Sequence, residues 1–107
     1  MLTMFPRLLR PPERSFFLLG PRGTGKTTWL RSVFPDAVWF DLLRTQTLLD
    51  LSRRPEMFRQ QIEARPGGTW VVVDEVQRLP AILNEVQALM TEHGKAYRFA
   101  LCGSCAR

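Results

Sequence analysis

Residues Gly20-Pro21-Arg22-Gly23-Thr24-Gly25-Lys26-Thr27 fit the pattern G-x-x-x-x-G-K-[ST], a loop that wraps phosphate groups. The pattern constrains the fold because it works only between two particular elements. A buried strand must stop, a glycine-rich turn must bare consecutive backbone N–H groups, and a helix must point its positive end at the anion. Both flanks comply. Phe16-Phe17-Leu18-Leu19 leads in as a fully buried apolar strand, and Thr28-Trp29-Leu30-Arg31 leaves as the start of a helix running to about Phe34. Gly23 and Gly25 allow close backbone approach or positive φ without a Cβ clash. Lys26 can then reach β- and γ-phosphate oxygens, and the Thr27 hydroxyl is an oxygen ligand suited to Mg²⁺.

The rest of the chain alternates strand and helix signals. Ala37–Asp41 reads as a short second strand after the Pro35-Asp36 break. Residues 42–65 read as interrupted helix, with Leu48, Leu49 and Leu51 apolar and Pro55 in the first turn of a segment presenting Met57, Phe58 and Ile62. Pro66-Gly67-Gly68 is a turn. Trp70–Val73 is apolar at every position, as in a strand covered on both faces. Pro80 opens a helix in which Ile82, Leu83, Val86, Leu89 and Met90 recur at three- and four-residue spacing, and Gly94 closes it. Arg98–Cys102 is a fourth strand. The alternation predicts a three-layer α/β fold with a parallel sheet.

Parallel strands end on one edge of their sheet, so this topology gathers chemistry. Asp74 and Glu75 follow the third strand and share that edge with the phosphate loop. Asp74 is a candidate to hold Mg²⁺ near Thr27, and Glu75 to polarise an attacking water. Ser104 follows the fourth strand on the same edge, where it would either sense a γ-phosphate or satisfy its own backbone. Asp41 is expected to cap the next helix. Arg22, Arg78 and Arg107 could neutralise phosphate or simply be solvated.

Composition narrows the class. With 45% hydrophobic and 23% charged residues, the 107-residue chain is an ordinary globular domain. No apolar run approaches the roughly 20 residues that span a bilayer, and the N-terminus lacks the basic-then-apolar order of a signal peptide. A cytoplasmic location with no membrane partner is the expectation. The net charge of +5 lies wholly within residues 1–31, which hold six basic groups against Glu13. That excess suits a polyanion, whether nucleotide or nucleic acid, or a solvated lead-in. Thirteen of the fifteen basic residues are Arg, yet one of the two Lys occupies the phosphate-contacting position. Cys102 and Cys105 form a single C-x-x-C with His93 the only histidine, too few ligands for a zinc site. They read as a buried strand cysteine and a loop cysteine. The absence of an N/T-K-x-D guanine-reading pattern favours ATP.

Residues 15–30, with the preceding Arg7-Leu8-Leu9-Arg10-Pro11-Pro12, then Trp70–Pro80 (Trp-Val-Val-Val-Asp-Glu-Val-Gln-Arg-Leu-Pro) and Leu101–Arg107, resemble the prokaryotic AAA-type P-loop ATPases that carry a C-terminal domain of unknown function. The resemblance implies an ATPase domain over residues 15–107, after an irregular basic lead-in at 1–14. It implies that Gly20 to Thr28 cradle ATP, that Lys26, Thr27 and Thr28 bind phosphates and Mg²⁺, that Asp74 is the Walker B metal residue and Glu75 the catalytic base, and that Ser104 is a sensor-like serine. Cys105 stands where the family usually has a second serine. The family's sheet order, 5-1-4-3-2, predicts 1-4-3-2 here with the fifth strand missing, so the chain is expected to be C-terminally incomplete. From that follow an exposed edge at Phe16–Leu19, a tendency to aggregate, and ATP binding with little turnover. The partners to expect are a second copy or the C-terminal domain, with nucleic acid as the alternative.

Overall fold

The computed structural model describes residues 14–20 and 25–104. The lead-in to residue 13, the loop positions Pro21, Arg22, Gly23 and Thr24, and Cys105 to Arg107 lie outside the described residues. In chain order the elements are β1 (Phe16–Gly20), α1 (Lys26–Val33), β2 (Val38–Asp41), α2 (Thr45–Arg53), α3 (Glu56–Glu63), β3 (Trp70–Asp74), a short 3-10 turn (Val76–Arg78), α4 (Ile82–His93) and β4 (Arg98–Ser104). All pairings are parallel, and the sheet order is β1-β4-β3-β2. This is the α/β arrangement and the 1-4-3-2 order that the sequence predicts. No helix among the described residues is long and apolar enough to cross a membrane.

The period-two alternation of the strands divides the core. Val71, Val73, Phe99, Leu101, Val38 and Phe40 face one side, where they bury Phe58 and Ile62 of α3, Leu51 of α2, and Ile82, Val86 and Leu89 of α4. Val72, Ala100, Cys102 and Leu18 face the other side and meet Leu30 of α1 and Phe34. Aromatic rings finish that second layer: Phe34 and Trp70 lie 4.3 Å apart between centroids, and Phe16 reaches Trp70 and Trp29 at 5.8 and 6.4 Å. Helices therefore cover both faces of β3, whose three valines are fully buried. Truncating a fully buried phenylalanine such as Phe58 costs about 3–5 kcal/mol in cores of this kind.

Several local expectations are corrected. The first strand is not buried throughout: Phe17 and Leu19 are each 50% exposed, because α4 covers the central strands and stops short of this edge. Leu83 and Met90 are likewise exposed, on the flank of α4 that meets Phe17 across a shallow groove. The helix predicted from Pro80 starts at Ile82, and Pro55 is the N-cap of α3, one residue before its first turn. Leu49 is exposed while Leu51 is buried. Asp41 does not cap α2, whose N-cap is Arg44. Its Oδ1 instead accepts the Leu43 backbone N–H at 3.0 Å, an Asx turn at the end of β2. Gly94 ends α4 as expected, at φ 60°, with its N–H donating to the Met90 carbonyl.

Candidate functional site

The site forms where three strands end. Gly20 is the last residue of β1 and pairs in register with Ser104, the last residue of β4, while Asp74 at the end of β3 pairs with Cys102. Because β4 lies between β1 and β3, Gly20 at the end of β1 and the carboxylates at the end of β3 flank the end of β4. Ser104 thus belongs to the strand, and does not follow it. Gly25, Lys26, Thr27, Thr28, Asp74, Glu75, Ser104 and Leu43 line a cleft of about 340 Å³ at this edge.

Gly25 is the N-cap of α1 at φ 86°, ψ 13°, a left-handed conformation that a side chain would strain. It delivers Lys26 and Thr27 as the first two residues of the helix. The first turn of the helix carries no acidic side chain of its own, and the negative charge that meets its positive end comes from Asp74 on β3. Lys26 is 6% exposed, and its Nζ donates to the Gly20 carbonyl at 3.0 Å, folding the ammonium back over the end of β1. The Thr27 hydroxyl donates to Asp74 Oδ2 at 2.9 Å, across 47 residues of sequence. Thr28 is exposed on the cleft rim. Of the loop residues named from the sequence, Gly20, Gly25, Lys26, Thr27 and Thr28 are placed here, whereas Pro21, Arg22, Gly23 and Thr24 are outside the described residues.

Both carboxylates are buried, Asp74 at 8% and Glu75 at 5% exposure. An unsatisfied charge in such a place costs several kcal/mol, and each has donors. The Ser104 hydroxyl donates to Glu75 Oε2 at 2.7 Å, and the Gln77 amide donates to Glu75 Oε1 at 2.6 Å. Ser104 therefore neither satisfies its own backbone nor stands alone: it is bonded to the neighbouring candidate. Glu75 is at φ 61°, ψ 47°, the only positive-φ residue other than glycine among those described. Such a backbone costs on the order of 1–2 kcal/mol, held here by the 3-10 turn that begins at Val76.

Cys102, buried beside Asp74 on β4, has its thiol pushed up to about 12, first by burial and then by the adjacent Asp74 charge. It is the buried strand cysteine that the sequence predicts, and inert as a nucleophile. Arg78 is exposed and absent from the cleft lining. Gln77 and Leu43 were not singled out in the sequence. Gln77 has a faint signal, since a polar residue two positions after a glutamate can return to it only if the backbone turns sharply between them.

One strand ends at Gly20, a helix opens with Lys-Thr after Gly25, and another strand ends at Asp74 with Glu75 next, with Ser104 on the strand between the two. No curated protein and no solved structure matches the chain. Residues 12–107 match the family described as AAA domain, and with nearly its whole length accounted for the chain belongs to that family.

Proposed function

We propose that this AAA domain binds Mg-ATP and hydrolyses it. The observation that carries the reading is the joining of the α1 N-terminus to the β3 carboxylates in one cleft, through the 2.9 Å bond from Thr27 to Asp74. A hydroxyl and a carboxylate at that distance are both hard oxygen donors, the ligand chemistry that Mg²⁺ takes. Thr27 and Asp74 would hold the ion, which when bound neutralises charge on the phosphate oxygens.

The protein's own groups then have distinct tasks. The N–H groups from Gly25 onward, with the loop before them, receive the phosphates at the positive end of α1. Lys26 lies within the same cleft and turns from the Gly20 carbonyl to the β- and γ-phosphate oxygens. Glu75 accepts the proton of a water whose oxygen attacks the γ-phosphorus. The bond from that phosphorus to the β,γ-bridging oxygen breaks, and its electron pair leaves with ADP. Ser104, bonded to Glu75 Oε2, would couple the state of that carboxylate to the end of β4.

Equilibrium titration with a fluorescent ATP analogue, in the presence of Mg²⁺, tests the reading. Lys26→Ala is expected to abolish binding while leaving the fold intact. Unchanged affinity in a folded variant would remove the phosphate-loop assignment.

A further inference from the structure

Gln77 has no task in the mechanism above, yet it is tied to Glu75 more closely than its place on a surface turn requires. Its Nε2 donates to Glu75 Oε1 at 2.6 Å. With the amide nitrogen donating to Glu75, the amide oxygen points elsewhere. That oxygen lies over β4. A Cβ on Gly103 would come within 2.9 Å of Gln77 Oε1, closer than real Cβ atoms stand, and 3.1 Å from Leu19 Cδ2, so the Gln77 amide, at the end of a flexible side chain, would have to shift. Glycine in a strand interior loses packing and backbone entropy, and here it makes room for the Gln77 amide. Two consecutive residues of β4 therefore serve the same carboxylate. Gly103 admits the donor to one oxygen, and Ser104 donates to the other.

We propose that Gln77 is a positioning residue that fixes the direction of the Glu75 carboxylate, and that Gly103 is the gap that lets it do so. This rests on Glu75 being the base of the proposed ATPase. Glu75 starts from a left-handed backbone, so its side chain leaves the strand end in a direction that β3 alone does not set. With one oxygen held from β4 and the other from the 3-10 turn, the carboxylate is oriented before substrate arrives. A base must aim a lone pair at a particular water, and misplacement of a reacting group by about 1 Å can cost 10²-fold.

The test uses ADP and ADP with aluminium fluoride, which imitates the γ-phosphoryl group in transfer with its attacking water. Affinities for the two are measured by calorimetry on the protein, Gln77→Ala, Gly103→Ala and the double variant, all with Mg²⁺. Gln77→Ala should leave ADP affinity unchanged and lower the preference for the fluoride complex by about 10- to 100-fold. Gly103→Ala should do the same by displacing the amide, and the double variant should lose no more than either single one, because the two act through one contact. A Gln77→Ala protein with the parent's preference, whether that preference is large or nil, overturns the proposal. So does an equal loss of affinity for both ligands, which is the mark of a merely structural role. Failure of the parent to bind ADP at all is a separate result: it removes the ATPase reading, and this proposal with it.

Discussion

The chain holds two pairs of carboxylates under opposite conditions. Asp74 and Glu75 are buried at the strand ends and meet neutral donors there, the Thr27 and Ser104 hydroxyls and the Gln77 amide. Glu63 and Glu92, on α3 and α4, are exposed and meet cationic or basic groups. Arg59 reaches both Glu92 oxygens at 2.6 and 2.9 Å, and His93 Nε2 lies 2.7 Å from Glu63. The exposed pairs stitch two surface helices with bonds that water and salt can replace. Neutral donors do something different. Hydroxyl and amide groups set the direction of the carboxylates they donate to by their own fixed geometry. Lys26 in the same cleft adds a positive charge at the N-terminus of α1. The buried pair faces a cleft, whereas the exposed pair joins two helices.

The strongest way to break this comparison is to change the buried charges without changing shape. Glu75→Gln should retain Mg-ATP affinity and lose hydrolysis by roughly 10²–10⁴-fold, the usual contribution of a general base, since an amide can orient a water but not take its proton. Asp74→Asn should instead weaken the Mg²⁺-dependent part of binding. Nucleotide titration with and without Mg²⁺, alongside phosphate release, separates the two. If both variants bound and hydrolysed like the parent, Asp74 and Glu75 would be structural.

Much of this site was legible because phosphate chemistry writes itself locally. Gly25, Lys26 and Thr27 are adjacent in sequence and adjacent in the cleft. Asp74 and Glu75 were found by a rule of topology, namely that parallel strands end together. The sheet order followed from the family resemblance, and the pairings agree with it. What escaped was set by partners distant in sequence or by backbone angles. Nothing in Val71-Val72-Val73-Asp74-Glu75 signals that Glu75 turns left-handed, so the return of Gln77 onto its carboxylate was invisible. Ser104 was placed on the right edge, but its bond to Glu75 spans 29 residues. Gly103 lies one residue past the strand expected over Arg98–Cys102, and what it meets is a side chain from another element. Phe17 and Leu19 look like core by composition, and their place on the edge strand, beyond the cover of α4, leaves them half exposed.

A smaller effect concerns Cys102, which shares the buried environment of Asp74. Its thiol, pushed up to about 12, should remain protonated at neutral and mildly alkaline pH, and burial should deny it reagent. In a Cys105→Ser background, a disulfide-forming chromogenic reagent should react slowly with the native protein and at once in denaturant. Rapid native reaction would mean that the strand ends open readily, and the contrast between a rigid buried cluster and a replaceable exposed one would weaken.

The smallest effect belongs to the exposed pair. The bond from Arg59, with its charge, lowers the Glu92 pKa from 4.5, against a partial opposing effect of burial, and the same bond raises that of Arg59. Because the folded value of Glu92 is the lower one, any stability the pair contributes is fully present above the ordinary carboxylate pKa. It is lost as the pH falls through the lowered folded value. Both groups stand in solvent, so the contribution should be slight at neutral pH and should fade with added salt. Thermal unfolding of Arg59→Ala and the parent, compared across pH at low and high salt, reads this directly. The expected result is a small gap in midpoint at neutral pH and low salt that closes both on acidification and in salt. A large gap indifferent to salt would show that the α3–α4 cluster is held as firmly as the strand-end carboxylates. Burial would then not be what separates an acting cluster from a fastening one.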